Sequence, residues 1–174
     1  AKELFDLSKK LIDEFAADNP NSPRNQDAKG RAFATKRSEL KQATRSGDMA
    51  RARALATEAR SLAAGLDKDS KTIDRVGADL ANIHLYMEEY KQGITASQKW
   101  LDTTRPDVLD SGVRRARAQG EAIALSTLLN CFARLPDSLD GDPKKAAYQD
   151  LLNAMDKYGD QYAKATTRGK TQMD

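Results

Sequence analysis

The stretch that most constrains the fold is Ser70 to Leu101, which carries the longest apolar stripe of the chain. Its stripe residues recur at steps of three and four, as on one face of an α-helix: Ile73, Val76, Gly77, Leu80, Ile83, His84 and Met87. Other bulky residues, such as Leu85 and Tyr86, lie off that stripe. A helix that is apolar over most of its girth is usually surrounded by other helices. We therefore predict that this stretch is the central element of an all-α domain.

Composition favours the same fold class. The chain has 174 residues, of which 39% are hydrophobic and only 6% aromatic, so the core must rest on aliphatic residues and alanine. Alanine recurs in nearly every periodic segment, whereas the β-branched runs typical of strands are missing. The length fits one domain with a sizeable core. We predict a single-domain, irregular antiparallel bundle of six to seven helices.

Periodicity and breakers divide the chain into segments. Helices are predicted at residues 2–16, 31–46, 49–64, 70–101, 103–135 and 142–165. Residues 18–30 contain two prolines and three asparagines with almost nothing apolar, which predicts a flexible loop after the first helix. The domain is expected to span residues 1–165, followed by a disordered polar tail at 166–174.

The break at Glu88–Gly93 leaves two interpretations of the central stretch, one straight helix or a helical hairpin. Here the sequence resembles a tetratricopeptide hairpin: Leu80 and His84 take the Leu and Tyr positions of that repeat, and Gly93 takes its small-residue position. Gly77 stands where the repeat has Trp. A second copy of the pattern lies 41 residues upstream, against 34 in the family. The resemblance covers about one hairpin and implies no functional residue.

No motif for catalysis, a cofactor or a metal stands out. His84 is the only histidine and lies on the apolar stripe, so we interpret it as a hydrogen-bonded structural residue. Cys131 lies in an apolar run and is interpreted as a small core residue. The acids of residues 137–142 lack the spacing of a calcium loop. We expect a protein that is not an enzyme and has no cofactor, no metal site and no small-molecule substrate.

Compartment is inferred from absences in the sequence. No apolar run approaches the roughly 20 residues that span a bilayer, and no signal-peptide core is present. The single cysteine excludes an internal disulfide. We expect a cytoplasmic protein, or a domain excised from a longer one because the chain begins with Ala1.

Positive charge is concentrated in residues 24–60, which hold ten Lys/Arg against four acids, within a chain of net charge +3. Candidate polyanion-binding residues are predicted in this region and in a second cluster: Arg45, Arg51, Arg53, Arg114, Arg115 and Arg117. Residues 24–60 contain one aromatic residue, Phe33, and so lack a platform for stacking bases.

Two functions remain open at this stage. The first is a non-enzymatic helical module that binds another protein or itself, with Tyr90 and Trp100 as candidate exposed contact residues. The second is a protein that coats nucleic acid, with the two arginine clusters on backbone phosphates. The missing chemistry and the alanine-lined helices favour the first.

Overall fold

The computed structural model describes residues 14, 19, 22–66, 71–103 and 111–171. These residues form six α-helices and one short 3-10 helix, and no strand. The helices are α1 (Pro23–Arg45), α2 (Met49–Ala64), α3 (Lys71–Tyr86), α4 (Tyr90–Asp102), α5 (Ser111–Arg134) and α6 (Gly141–Thr171). The all-α helical bundle is therefore confirmed. The predicted helix at residues 2–16 lies outside the described residues except for Glu14, which is helical.

The predicted loop at residues 18–30 is wrong from Pro23 onward, because α1 begins there. Ser22 is the N-cap and its side chain accepts a hydrogen bond from the backbone N–H of Asn25. A serine cap followed by proline is a strong helix start, and the polar composition concealed it. Asn25 is buried, and its Nδ2 donates to the carbonyl of Asn19 at 2.8 Å. The first turn is thus a satisfied polar segment of the fold.

The turn between α1 and α2 is a Schellman motif. The backbone N–H of Asp48 donates to the carbonyl of Ala43 at 3.0 Å, and that of Gly47 donates to Thr44 at 3.2 Å. Gly47 has φ 76°, the left-handed conformation that this motif requires and that glycine adopts without steric cost. Asp48 then caps α2 by accepting from the backbone N–H of Arg51. Two antiparallel helices follow from this turn.

The turn after α3 has the same geometry and decides between the two interpretations of the central stretch in favour of a hairpin. The backbone N–H of Glu89 donates to the carbonyl of His84 at 2.9 Å, and that of Glu88 donates to Leu85 at 3.2 Å. Glu88 has φ 60°, the only described non-glycine residue with a positive φ. Helix α4 begins at Tyr90, 41 residues after the start of α2.

The six helices form three successive hairpins. Helix α3 packs on α1 and α2, and α5 packs in turn on α3 and α4, while α6 packs on α5. Lys29 of α1 donates to the carbonyl of Gly65 at the end of α2, at 2.9 Å, which closes the first hairpin. Gln161 of α6 donates to Glu121 of α5 at 2.9 Å, which fixes the antiparallel order of the third. The first helices of the hairpins, α1, α3 and α5, therefore lie side by side.

The core has three apolar clusters. Phe33, Leu40 and Ile83 centre the cluster of α1, α2 and α3, and each is at most 1% exposed. Leu125 and Leu128 centre the cluster of α4, α5 and α6. Ala78, Trp100 and Ala124 form a smaller cluster between α3, α4 and α5, and Leu101 packs against both this cluster and the second.

Helix α6 corrects two further expectations. It continues to Thr171, so residues 166–171 of the predicted disordered tail are helical. Its periodicity predicts one apolar face made of Ala147, Leu151, Met155, Tyr158 and Tyr162. Ala147 and Tyr158 are buried as expected, but Met155 is 55% exposed and its neighbour Ala154 is buried instead.

Candidate functional site

A groove runs across the first helices of the three hairpins. Two adjoining cavities of about 520 and 460 Å³ form it. Lys41 of α1, Asn82 and Tyr86 of α3, and Ser126 of α5 line both cavities, so the cavities are continuous. Tyr162 of α6 closes the larger one. All three hairpins contribute side chains to the groove.

Cations dominate the charged lining of the groove. Arg37 forms an ion pair with Asp79, which is 2% exposed, and this pair joins α1 to α3. Lys41, Arg45 and Arg134 also line the groove, and none has a carboxylate within 4 Å among the described residues. Two of them, Arg45 and Arg134, stand in the last turns of their helices, where each offsets about half a unit of negative helix charge.

The groove floor carries side chains that offer hydrogen bonds. Nδ2 of Asn82 donates to the hydroxyl of the buried Thr127 at 2.8 Å, which fixes the amide at the bottom of the groove. Burial raises the pKa of Tyr86, and nearby Arg37 and Arg45 oppose that rise only in part. The Tyr86 phenol therefore stays protonated at neutral pH and can donate. A bound chain would meet fixed polar groups as well as cations.

An apolar stripe lies on α6 beside this groove. Tyr148, Leu152 and Met155 are 46%, 55% and 55% exposed, and they are the large apolar side chains exposed among the described residues. Their spacing of four and three residues places them on one face of the helix. We call these three residues the α6 stripe.

His84 takes part in a polar cluster at the turn of the second hairpin. Its Nδ1 lies 2.6 Å from Oε2 of Glu89 and donates to it, and Nη2 of Arg60 donates to the same oxygen at 2.5 Å. Burial acts to raise the pKa of Glu89, but the hydrogen bonds from His84 and Arg60 outweigh it and lower that pKa. This cluster ties α2 to the turn between α3 and α4. His84 is hydrogen bonded, and its side chain is a quarter exposed.

Cys131 lies in the core against the second hairpin. It is 0% exposed, and a Cβ atom built on Gly93 would come within 2.5 Å of its Sγ and 3.4 Å of the Cβ of His84. Burial raises the pKa of Cys131 to about 11. The thiol therefore stays protonated and is a poor nucleophile in spite of its proximity to histidine.

The predicted polyanion-binding residues fall in three different environments. Arg45, Arg51 and Arg53 are exposed, and the first of them lines the groove. Arg117 stacks over the ring of Trp100 at 3.9 Å and donates to the carbonyl of Thr103 at 3.0 Å. The remaining two side chains, Arg114 and Arg115, lie outside the described residues.

The two predicted protein-contact residues separate in the structure. Tyr90 is half-buried and lines the smaller cavity of the groove. Trp100 is only 8% exposed, which corrects its placement on the surface. Gly77 leaves the space that the Trp100 ring fills, since a Cβ there would lie 2.8 Å from it. An aromatic residue near the end of an amphipathic helix was mistaken for an exposed contact.

Sequence reasoning missed most of the groove. The signal existed as polar residues repeated every four positions on three helices: Arg37, Lys41 and Arg45 on α1, Asn82 and Tyr86 on α3, and Ser126, Asn130 and Arg134 on α5. Each set alone is typical of a solvated helix face. Only the side-by-side packing of α1, α3 and α5 makes the three sets one surface.

Within the described ranges, no three side chains of His, Cys, Asp or Glu are placed to hold a metal ion together. In the same ranges, no helix has both the length and the apolar character needed to cross a bilayer. Comparison with known proteins finds no matching family model, curated protein or solved structure. The tetratricopeptide resemblance therefore rests on the hairpin alone and assigns no functional residue.

Proposed function

We propose that this protein is a non-enzymatic interaction module that binds a segment of another protein in the groove across α1, α3 and α5. One observation carries the proposal: all three hairpins contribute side chains to a single continuous groove with fixed polar groups. Ligand sites of folded proteins are concave and lined by a few placed polar groups among apolar ones. Grooves between helices are a recurrent way to hold a peptide segment.

The test is an unbiased selection of binding peptides. A display library of random 20-residue peptides is selected on the wild-type protein and on Ser126→Trp, which fills the middle of the groove. Thr57→Trp, on the exposed face of α2, is the matched control. We expect peptides that bind the wild type and Thr57→Trp and lose binding to Ser126→Trp. Peptides that bind all three proteins equally would overturn the groove as the site.

The alternative function is binding to nucleic-acid phosphates. It is supported by the exposed Arg51 and Arg53 on α2 and by the groove tyrosines, since Phe33, the one aromatic of residues 24–60, is buried. Such binding should weaken steeply with salt, because each neutralised phosphate releases counterions. Anisotropy of a labelled single-stranded oligonucleotide between 50 and 200 mM salt measures this. A steep slope that Arg51→Gln with Arg53→Gln reduces would favour the alternative.

A further inference from the structure

The α6 stripe contains the large apolar side chains that are exposed among the residues the structure describes. Single exposed apolar residues are ordinary on protein surfaces. Three within two turns of one helix, with no other described large apolar residue exposed, form a patch of the kind that marks an interaction site.

The stripe lies on the same face of α6 as the groove. One face of α6 carries residues at successive steps of four, three, seven and four: Tyr148, Leu152, Met155, Tyr162 and Thr166. Tyr162 and Thr166 line the larger cavity. Since α5 and α6 are antiparallel, the path back along α6 to Tyr148 runs toward the Arg134 end of α5. The apolar stripe therefore lies along α6 toward the level at which α5 carries Arg134.

The face of α6 that carries the stripe has a shape that can pack against another helix. The face from Tyr148 to Thr166 is about 27 Å long, since each helical residue rises about 1.5 Å. Helices pack along such stripes with side chains at the same three- and four-residue spacing. Gly159, on the same face, has no atom within 4 Å of a built Cβ, which leaves space for a bulky side chain of an incoming helix.

Charge defines the other face of the incoming helix. Lys41, Arg45 and Arg134 line the groove, and Glu88 is the one described acid in its lining. The helix dipoles offset part of this positive charge. We therefore expect apolar contact to supply most of the binding free energy, and the cations to select a partner helix of negative charge. A second copy of this chain docked at the same surface would bring the cations of two protomers together, and their repulsion disfavours it as the ligand.

We infer that the ligand of the groove is an amphipathic helix of a partner protein, with its apolar face on the α6 stripe and acidic residues toward Lys41, Arg45 and Arg134. This rests on the proposed function and adds the conformation and chemistry of the partner. Apolar anchors with a matching charged rim are the usual construction of a helix-in-groove interface.

The test uses two labelled 20-residue helical peptides with the same apolar stripe, one flanked by glutamates and one by lysines. We expect the glutamate peptide to bind at least tenfold more tightly in fluorescence anisotropy, and the difference in affinity between the two peptides to decrease as salt is added.

Leu152→Gln should weaken binding of the glutamate peptide about tenfold, and Asn153→Gln on a different face of α6 should not. The double variant Lys41→Gln with Arg45→Gln should weaken binding of the glutamate peptide. The control, Arg51→Gln with Arg53→Gln, lowers the net charge by the same amount outside the groove and should leave that binding unchanged.

Each outcome bears on one level of the inference. Equal binding of the two peptides, or binding unaffected by Leu152→Gln, would overturn the acidic amphipathic helix even if display peptides still require Ser126. If every display peptide binds Ser126→Trp as tightly as the wild type, the proposed function itself is overturned. Sedimentation that shows a dimer broken by Leu152→Gln would assign the stripe to a second copy and overturn the inference. Tighter binding of an oligonucleotide at the same cations would do the same.

Discussion

The first two hairpins share one backbone turn but fill it with different residues. Both turns end the first helix with the same two hydrogen bonds, and both start the second helix at the same offset, 41 residues apart. Gly47 occupies the left-handed position of the first turn, and Glu88 occupies it in the second. At the fourth residue of the second helix, Ala52 is buried in the first hairpin and Gly93 stands at the matching place in the second.

The difference reflects what each hairpin contacts. Ala52 packs within the alanine-lined first hairpin, where a methyl group fills the space between helices. Gly93 faces Cys131 of α5, so a methyl group there would collide with the next hairpin. Glu88 adopts the left-handed backbone conformation, which is unfavourable for a residue with a side chain, at a position that lines the groove. Equivalent positions thus differ because the second hairpin is packed on both sides, and because its turn faces the groove.

The largest effect should come from breaking the junction between the hairpins. Asp79→Ala leaves Arg37 without its carboxylate partner. Because the Arg37 side chain is 26% exposed, the loss should cost about 2–3 kcal/mol, at or below the low end of the range for a fully buried pair. Urea denaturation should report a free energy of unfolding lower by about that amount. Glu58→Ala, which removes the exposed partner of Lys36 within the first hairpin, is the control and should change stability little. Equal effects of the two substitutions would contradict a buried junction.

Exchanging the small residues tests the packing difference directly. Gly93→Ala should destabilise by about 2 kcal/mol, because the new methyl group collides with Cys131. In a Cys131→Ala background the clash disappears and the same change should stabilise by up to about 1 kcal/mol, the helix preference of alanine over glycine. A double-mutant cycle measured by denaturation gives the coupling. Absence of coupling would show that α5 does not approach Gly93 closely.

The two turn residues should respond in opposite directions. Glu88→Gly removes the cost of a left-handed side-chain-bearing residue and should stabilise by about 1 kcal/mol. Gly47→Ala introduces that cost at the same position of the first turn and should destabilise by about 1 kcal/mol. Thermal unfolding of both variants measures the pair. Stabilisation by Gly47→Ala would contradict the shared turn geometry.

The smallest effect is the pH dependence of the second turn. Glu89 has a lowered pKa, so its ionised form stabilises the fold above the ordinary value of 4.5, and this contribution is lost as pH falls through the lower folded-state value. Glu89→Gln should therefore cost about 1 kcal/mol or less at pH 7, because the side chain is about a third exposed and water screens its charge. This cost should shrink once the pH falls below the folded-state pKa. The first turn, where Asp48 caps α2 without a histidine partner, provides the comparison through Asp48→Asn. A deficit for Glu89→Gln that does not shrink in acid would contradict the ion cluster.

The sequence alone determined the all-α class and the bounds of α2, because alanine periodicity and a glycine stop are local signals that need no partner. It also placed Val76, Ile83 and Cys131 in the interior. It did not determine the helical start at Pro23, because the polar residues of that turn become favourable only when Asn25 is buried and satisfied.

Tertiary structure decided everything that makes the candidate site. Lys41, Asn82 and Ser126 are unremarkable polar positions on three separate helices, and only the packing of α1, α3 and α5 brings them to one groove. Trp100 moved from an expected surface contact into the interior because Gly77 of a different helix leaves room for its ring. Helix formation depends on neighbours three and four residues away, which a sequence displays. A groove depends on which helices meet, and that is settled by the summed packing of side chains far apart in the chain.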